Sequence, residues 1–270
     1  MTNQDPRLDP RWVPCRSVEV NDDTVRLLSF PDGVRCLTRV DQSETELISN
    51  QIFAKQEYLA HGLSFQNCSV VFDVGASIGL FTVFAKMQSS GAVAYAFEPI
   101  REAYEVFLRN VQLHGLDRVN AYHCAVGSKA QAERSFTFYP NMAGNSTANA
   151  AVKAPQRKVM NDLFGTEETD RCFQSQPRIA RVETLSAVID RYGITRIDYL
   201  KIDVEGDELA VLQGLRDEHA AMIRQVAVEV HSEPLARDVT AYLERHGFET
   251  ACDTGLSAGA GVRTVSAIRP

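Results

Sequence analysis

From Val70 onward, short apolar runs alternate with stretches whose apolar residues recur every three to four positions. The runs predict strands at Val70–Val74, Val93–Phe97, Val119–Val126, Ile197–Val204 and Val226–Val230. The periodic stretches predict helices near 78–88, 101–114, 184–192, 207–215 and 233–246. Strands that are apolar throughout, each followed by a helix, describe an α/β fold with a mainly parallel sheet covered on both faces. Phe248–Cys252 and Val262–Ile268, joined across a glycine-bearing turn, predict a closing hairpin.

The chain ahead of this rhythm reads differently. Residues 1–16 carry three prolines and several charges, as a loose leader would. Ser17 to Arg39 predicts two short strands around Pro31-Asp32-Gly33, where proline presets φ and glycine accepts a positive one. A helical pattern then opens at Ser43 and runs through Ile48, Ile52, Phe53 and Leu59 to a stop at Gly62. One later stretch, Tyr139 to Pro177, has little periodicity. A segment that long inside a domain is either a lid over a site or a surface insertion, and the pattern leaves both open. The expected organisation is an extension and cap over 1–64, then one domain over 65–270 carrying the insertion at 139–177.

Composition removes several classes of function. The longest uncharged apolar stretch, Val74 to Ala85, has twelve residues, against about 20 for a membrane-spanning helix. Lysine and arginine number 28 against 35 acids, a net charge of −7, and no basic cluster exceeds Arg157-Lys158. That disfavours nucleic acid as a partner, since phosphate contacts need concentrated positive charge. The six cysteines stand at 15, 36, 68, 124, 172 and 252 without a C-x-x-C pair, which points to free thiols in a reducing compartment. No secretory leader pattern precedes them, so the expected location is the cytoplasm.

The candidate chemistry begins at Phe72-Asp73-Val74-Gly75-Ala76-Ser77-Ile78-Gly79, a strand with an acid near its end, a glycine turn and a helix start. Gly75 suits the tight turn and Gly79 a close helix–strand contact, but the second glycine of a dinucleotide fingerprint is missing. A ligand without phosphates fits better. Glu98, at the end of the next strand, stands where an acid takes ribose hydroxyls in nucleotide-binding α/β units. S-adenosylmethionine meets these conditions: a ribose for Glu98, an α-amino group for Asp73 and a cation that tolerates acids.

These residues resemble the FkbM-type methyltransferases. The likeness rests on Phe72 to Gly79, on Ala96-Phe97-Glu98-Pro99, on Asn120 to Gly127, and on Ile197 to Glu208 with Val211-Leu212-Gln213-Gly214. The strand ending Val228-Glu229-Val230-His231 also fits. The resemblance implies a class I, Rossmann-like methyltransferase sheet of seven strands, order 3-2-1-4-5-7-6, with only the last-but-one pair antiparallel and the Thr45–Gly62 helix as a cap. It also implies cofactor contacts from Asp73, from the turn Gly75, Ala76, Ser77 and Gly79, from Glu98 and Pro99, from Ala125 and from Asp203. The activity it implies is methylation of hydroxyls on polyketide, peptide or sugar products, with the acceptor either free or held on an acyl or peptidyl carrier protein.

A hydroxyl acceptor must lose its proton as it attacks, and a positioned base speeds that by about 10²–10⁴-fold. The candidates cluster at neighbouring strand ends: Asp203 and Glu205 after the fourth strand, Glu229 and His231 after the fifth. His231 is the leading choice because an unperturbed imidazole titrates near neutral pH. Asp203 would frame the site, and Glu205 either joins it or anchors the following helix. Asp203, Glu229 and His231 could instead hold a divalent cation, although their spacing matches no ligand motif. His123 is expected beside the adenine or buried with a partner, and Cys124 as a small core residue. Competing readings are an N-methyltransferase of the same fold, an NAD-dependent oxidoreductase, and a non-catalytic cofactor-binding adaptor. Oligomeric state is not legible.

Overall fold

The structure is a computed structural model that describes residues 25–30, 33–39, 42–253 and 262–270. The expected leader and part of the turn between the last two strands lie outside the described residues. Strands β1 (Arg26–Ser29) and β2 (Arg35–Thr38) pair antiparallel, Leu28 opposite Cys36. Helix α1 (Gln42–Ser49) does not continue unbroken to Gly62. A π turn over Asn50–Ala54 and a 3-10 turn over Glu57–Gly62 follow it, with Gln56 at φ 52 and His61 at φ 54. Left-handed residues cannot be carried inside an α-helix, so the apolar periodicity there marks a buried face on a broken element. The buried side-chain amide of Asn110 donates to the carbonyls of Leu37 (3.0 Å) and Ile78 (2.8 Å). Its oxygen accepts from Leu37 N–H at 2.6 Å, tying the extension to the domain.

Next come β3 (Val70–Val74), α2 (Leu80–Gln88), β4 (Val93–Phe97), α3 (Arg101–Leu113) and β5 (Val119–Tyr122). The chain continues through β6 (Ala125–Val126), β7 (Gln131–Phe138), α4 (Ala154–Phe164), α5 (Thr166–Cys172), β8 (Gln176–Glu183) and α6 (Leu185–Tyr192). It ends with β9 (Tyr199–Ile202), α7 (Glu208–Gln213), α8 (Asp217–Ala220), β10 (Gln225–Val230), α9 (Glu233–Arg245), β11 (Glu249–Asp253) and β12 (Arg263–Ile268). Seven of these strands form one mixed sheet in the order β11-β12-β10-β9-β3-β4-β5. Counted along the chain within that sheet, and read from β5, this is 3-2-1-4-5-7-6. The expectation of one antiparallel pair needs correcting: β12 runs antiparallel to both β10 and β11, because a reversed strand with two neighbours opposes both.

Two further expectations change. The strand expected over Val119–Val126 breaks at His123-Cys124, and its second half joins another sheet, β6-β8-β7. Strands β7 and β8 of that sheet carry charge at exposed and half-buried positions, Glu133 and Arg134 among them, which masked the alternation. The low-periodicity stretch between them is not structureless, since it holds α4 and α5. Helix α4 buries none of its residues, so it has no apolar stripe to betray it.

The parallel core of the sheet positions the site. Asp73 of β3 is in register with Ala96 of β4 and Lys201 of β9, and Val228 of β10 with Ile202 of β9. The carboxyl ends of all four strands therefore lie along one edge, where open α/β sheets bind ligands. One apolar layer, including Ile189, Leu212, Val239 and Leu243, covers one face, and another, including Phe65, Phe81, Phe84 and Val106, covers the other. Helix α6 starts on Thr184, whose hydroxyl accepts from Ala187 N–H at 3.1 Å, and α9 on Ser232, which accepts from Leu235 N–H at 3.3 Å. Each cap satisfies a donor the first helical turn leaves open.

Candidate active site

One half of the site is the turn after β3. Gly75 has φ +81, and a Cβ there would lie 1.7 Å from the carbonyl oxygen of Asp203. Its N–H and that of Ala76 both donate to the carbonyl of Phe97, at 3.0 and 2.9 Å. Ser77, at φ 49, donates its N–H to Glu98 Oε2 at 2.8 Å. Ile100 N–H donates to Glu98 Oε1 at 2.7 Å. Burial pushes the Glu98 carboxyl up to about 7, against the two backbone donors that favour its charged form. Gly75, Ala76, Ser77, Glu98, Pro99 and Ala125 all line one cavity at the sheet edge.

Two residues expected to touch the cofactor stand elsewhere. Gly79 does not line the cavity, and its close contact is with a helix rather than a strand. A Cβ on Gly79 would meet the Phe107 ring at 2.0 Å, so the glycine lets α2 pack on α3. Asp73 has no exposed surface and lies below the cavity. Its Oδ2 accepts from Thr82 Oγ1 at 2.6 Å, and its Oδ1 faces Lys201 Nζ at 3.3 Å. Lys201 also donates to the Gly75 carbonyl at 2.7 Å, so Asp73 braces the turn through a buried lysine. The sequence held a clue to this lysine: Lys201 lies on β9 two residues before Asp203, an alternate position that shares its face.

The other half is the loop between β9 and α7, facing the end of β10. Asp203 and Glu205 line the cavity with Glu229 and His231. Glu205 and Gly206 follow one another at φ 59 and φ 114, a strained conformation for the glutamate. The insertion and its flanking strand hold this loop. Lys153 forms an ion pair with Glu205, Thr147 Oγ1 donates to the Glu205 carbonyl at 2.6 Å, and Arg134 meets Asp207 at 2.5 Å. Lys153 also donates to Asn145 Oδ1 at 2.9 Å, and Asn145 Nδ2 donates to Glu44 Oε1 at 3.3 Å. The cap, the insertion and the strand-end acids are thus one connected network. Leu47, Ile48 and Tyr58 of the cap complete the cavity wall.

His231 is not the free imidazole expected of a general base. Its Nδ1 is 3.0 Å from Glu208 Oε1 and its Nε2 is 2.7 Å from Glu205 Oε2. Burial alone would lower its pKa, but the Glu205 and Glu208 carboxylates override that and raise it well above the usual histidine value. Burial likewise acts to raise Glu205, yet His231 and Lys153 hold it at about 2. Glu229 is pushed up to about 8 by burial and the neighbouring Asp203 charge, and accepts from the Tyr58 phenol at 3.5 Å. Burial raises Asp203 too, against Lys201.

The structure also redistributes the two glutamates of this loop. Glu205 belongs to the cavity, while the following helix start is anchored by Glu208, which accepts the Gly206 N–H at 2.8 Å. The expected cation set changes in the same way: donor atoms of Asp203, Glu205 and His231 lie within 4.8 Å of one another, and Glu229 is not among them. Lys153, Glu208 and Tyr58 carried no local signal, since each reaches the site through tertiary folding. His123 is exposed, accompanied by the Pro99 carbonyl at 3.1 Å and stacked on Tyr104, and Cys124 is a buried core residue. Among the described residues no helix is long and apolar enough to cross a membrane.

Comparison with known proteins gives the family. The Methyltransferase FkbM domain profile matches residues 73–250. The chain is 36% identical over 259 residues to the 31-O-demethyl-FK506 methyltransferase FkbM of Streptomyces tacrolimicus, covering 92% of this chain and 98% of that one. It is 33% identical over 228 residues to Methyltransferase sdnD of Sordaria araneosa, covering 79% and 86%. The crystal structure of Methyltransferase FkbM from Methylobacillus flagellatus KT shares the fold at a TM-score of 0.50 and 15% identity, covering 81% of this chain and 47% of that one. On the extent of these matches, the chain belongs to the FkbM family of methyltransferases, whose methyl donor is S-adenosyl-L-methionine.

Proposed function

We propose that the protein methylates a hydroxyl group on a natural product of the polyketide or nonribosomal-peptide type. The observation that carries this reading is the single cavity joining the Glu98 turn to the strand-end acids, walled on the cap side by Leu47, Ile48 and Ile52. One end suits a ribose and the other a polar reacting group, while the wall between suits an apolar acceptor body. The relative whose name specifies an acceptor oxygen, the FK506 enzyme, covers nearly the whole chain.

Glu98 takes the ribose hydroxyls, with Ser77 fixing its carboxylate. Pro99 and Ala125 wall the adenine, and Asp203 faces the methionine end. When bound, the cofactor supplies an activated methyl group, and its transfer to oxygen leaves a neutral thioether and one proton to remove. Much of the acceleration comes from holding the acceptor in line, which is worth several kcal/mol, up to roughly 7–11 in well-oriented systems. Glu229, in its ionised form, is placed to receive the proton: it lines the cavity, its contact with the Tyr58 phenol leaves oxygen lone pairs for the acceptor, and its pKa of about 8 makes it a base that gains strength as pH rises toward that value. His231, with both nitrogens engaged, orients the acids around it.

The test has two stages. Calorimetry should show binding of S-adenosylhomocysteine and no binding of NAD, and the reverse result would remove the reading. Purified protein with S-adenosylmethionine should then add one methyl to an oxygen of 31-O-demethyl-FK506 or of other hydroxylated macrolides, free or carrier-loaded, as read by mass spectrometry and NMR. Transfer only to amine acceptors would overturn the hydroxyl assignment.

A further inference from the structure

We propose that Lys153, delivered by the insertion, is a positioning residue for methyl transfer: it holds Glu205 on His231 and so keeps Glu229 free for the acceptor. The inference rests on the methyl-transfer reading for its consequence, while its test observes the histidine directly and needs no acceptor.

Lys153 stands apart from the rest of the insertion. Helix α4, which follows it, buries none of its residues, yet the Lys153 side chain is only 4% exposed. A buried ammonium is costly unless it is paired. Its Nζ is paired with Glu205 and donates to Asn145 Oδ1 at 2.9 Å. As a source of stability such a pair is weak, because apolar groups of similar volume often do as well. What it supplies is a fixed place for one carboxylate.

The backbone points the same way, through contacts that do not involve the ammonium. Glu205, at φ 59, has a conformation that a residue other than glycine keeps only where its surroundings impose it. Thr147 Oγ1 donates to the Glu205 carbonyl at 2.6 Å. Val152 packs so closely on Gly206 that a Cβ there would lie 2.9 Å from Val152 Cγ1. Three residues of the insertion thus converge on Glu205 and Gly206.

The consequence falls on His231. Glu208 holds Nδ1 at 3.0 Å, so the ring is fixed. Nε2 then has two acids before it, Glu205 Oε2 at 2.7 Å and Glu229 Oε1 at 3.9 Å. Carboxylates accept, so both ring nitrogens donate. With Glu205 in place, the Nε2–H is taken. If Glu205 withdrew, the same donor would turn to Glu229 and occupy the oxygen that receives the acceptor proton.

The experiment is ¹H–¹⁵N NMR of the full chain with ¹⁵N-labelled histidine, the His231 ring signals being assigned by their loss in His231→Gln. Wild type should show both ring N–H signals protected from exchange. In Lys153→Met the Nε2–H signal should shift while Nδ1–H stays, and Lys153→Arg should restore it. Adding Glu229→Gln should move the Nε2–H signal in the Lys153→Met background and leave it in place otherwise, because only there is Glu229 its partner. S-adenosylhomocysteine affinity should be unchanged in both Lys153 variants, which also shows that they fold. Asn145→Ala removes only the amide that steadies the ammonium, and should weaken Nε2–H protection in the same way where Lys153→Met is unstable. With an acceptor in hand, Lys153→Met should lower kcat by up to about 10²-fold at unchanged KM for S-adenosylmethionine. An Nε2–H signal unaltered in Lys153→Met and Asn145→Ala, or both ring signals lost together, overturns the assignment. Wild-type protein that binds no S-adenosylhomocysteine would overturn the methyl-transfer reading, and the role with it, while leaving the Lys153–Glu205–His231 result standing.

Discussion

The two ends of the cavity are built by different means. At the glycine-turn end, residues 73–79 and 97–100 do nearly everything, and the bonds run from backbone N–H groups to one carboxylate or one carbonyl. At the acceptor end, the contacts come from side chains far apart in sequence: Lys153 on Glu205 across 52 residues, and His231 on Glu208 across 23. A site made from backbone can tolerate many side-chain changes around it. A site made from charged side chains can be retuned by one substitution.

The comparison can be broken most severely at Gly75. Gly75→Ala forces a Cβ against the Asp203 carbonyl at φ +81, where the two ends meet. It should cost about 4 kcal/mol of stability, since strain and a backbone clash both fall in the severe class. Chemical denaturation and product-binding calorimetry should both report the loss, and normal affinity would show that the backbone can move.

Glu229→Gln should separate the halves cleanly. Methyl transfer should fall by roughly 10²–10⁴-fold, the contribution of a positioned base, while S-adenosylhomocysteine affinity stays near wild type. Equal loss of both would place Glu229 in the cofactor end instead.

Glu98→Gln should do the converse through pH. Burial holds Glu98 at about 7, and the ionised carboxylate is the better acceptor of ribose hydroxyls, so product affinity should climb as pH rises through that value. The glutamine variant should bind about 10-fold more weakly at high pH, as for a lost hydrogen bond to a charged group, with a flat profile. The stability effect has the opposite sign. A carboxyl whose pKa is raised from 4.5 to about 7 in the folded chain loses stability as pH climbs between those values. Urea denaturation across that window should show Glu98→Gln less pH-sensitive than the wild type.

The smallest expected effect is at the insertion. Thr147→Val removes the 2.6 Å bond to the Glu205 carbonyl and should cost about 1 kcal/mol. Hydrogen exchange should quicken in the 204–207 loop and remain unchanged at the 75–79 turn. Matching changes at both would mean the two ends are not separate.

How far the sequence reached follows the same line. The turn after β3 and the acid after β4 were legible because each is a contiguous run whose conformation depends on its own residues. At Asp73 and Gly79 the structure shows protein partners that the local sequence did not name: Lys201 and Thr82 for the acid, Phe107 for the glycine. The helical stretch at 154–164 escaped notice because an amphipathic pattern exists only where a face is buried, and this helix buries none. His231 lines the cavity as expected of a strand-end residue, but both its nitrogens face carboxylates. Its standing pKa comes from Glu205 and Glu208, which local sequence cannot weigh.

The sequence by itself determined the alternating α/β architecture, the glycine turn after β3 and the strand ends where acids would meet. Those rest on hydrophobic periodicity and on local backbone geometry, which act between near neighbours. Tertiary structure alone decided which acid faces the cavity, which lysine answers it, and what charge the histidine carries. Electrostatic energies there depend on distances and burial set by the fold, so Lys153 and Glu208 enter the site only once the insertion and α7 are in place.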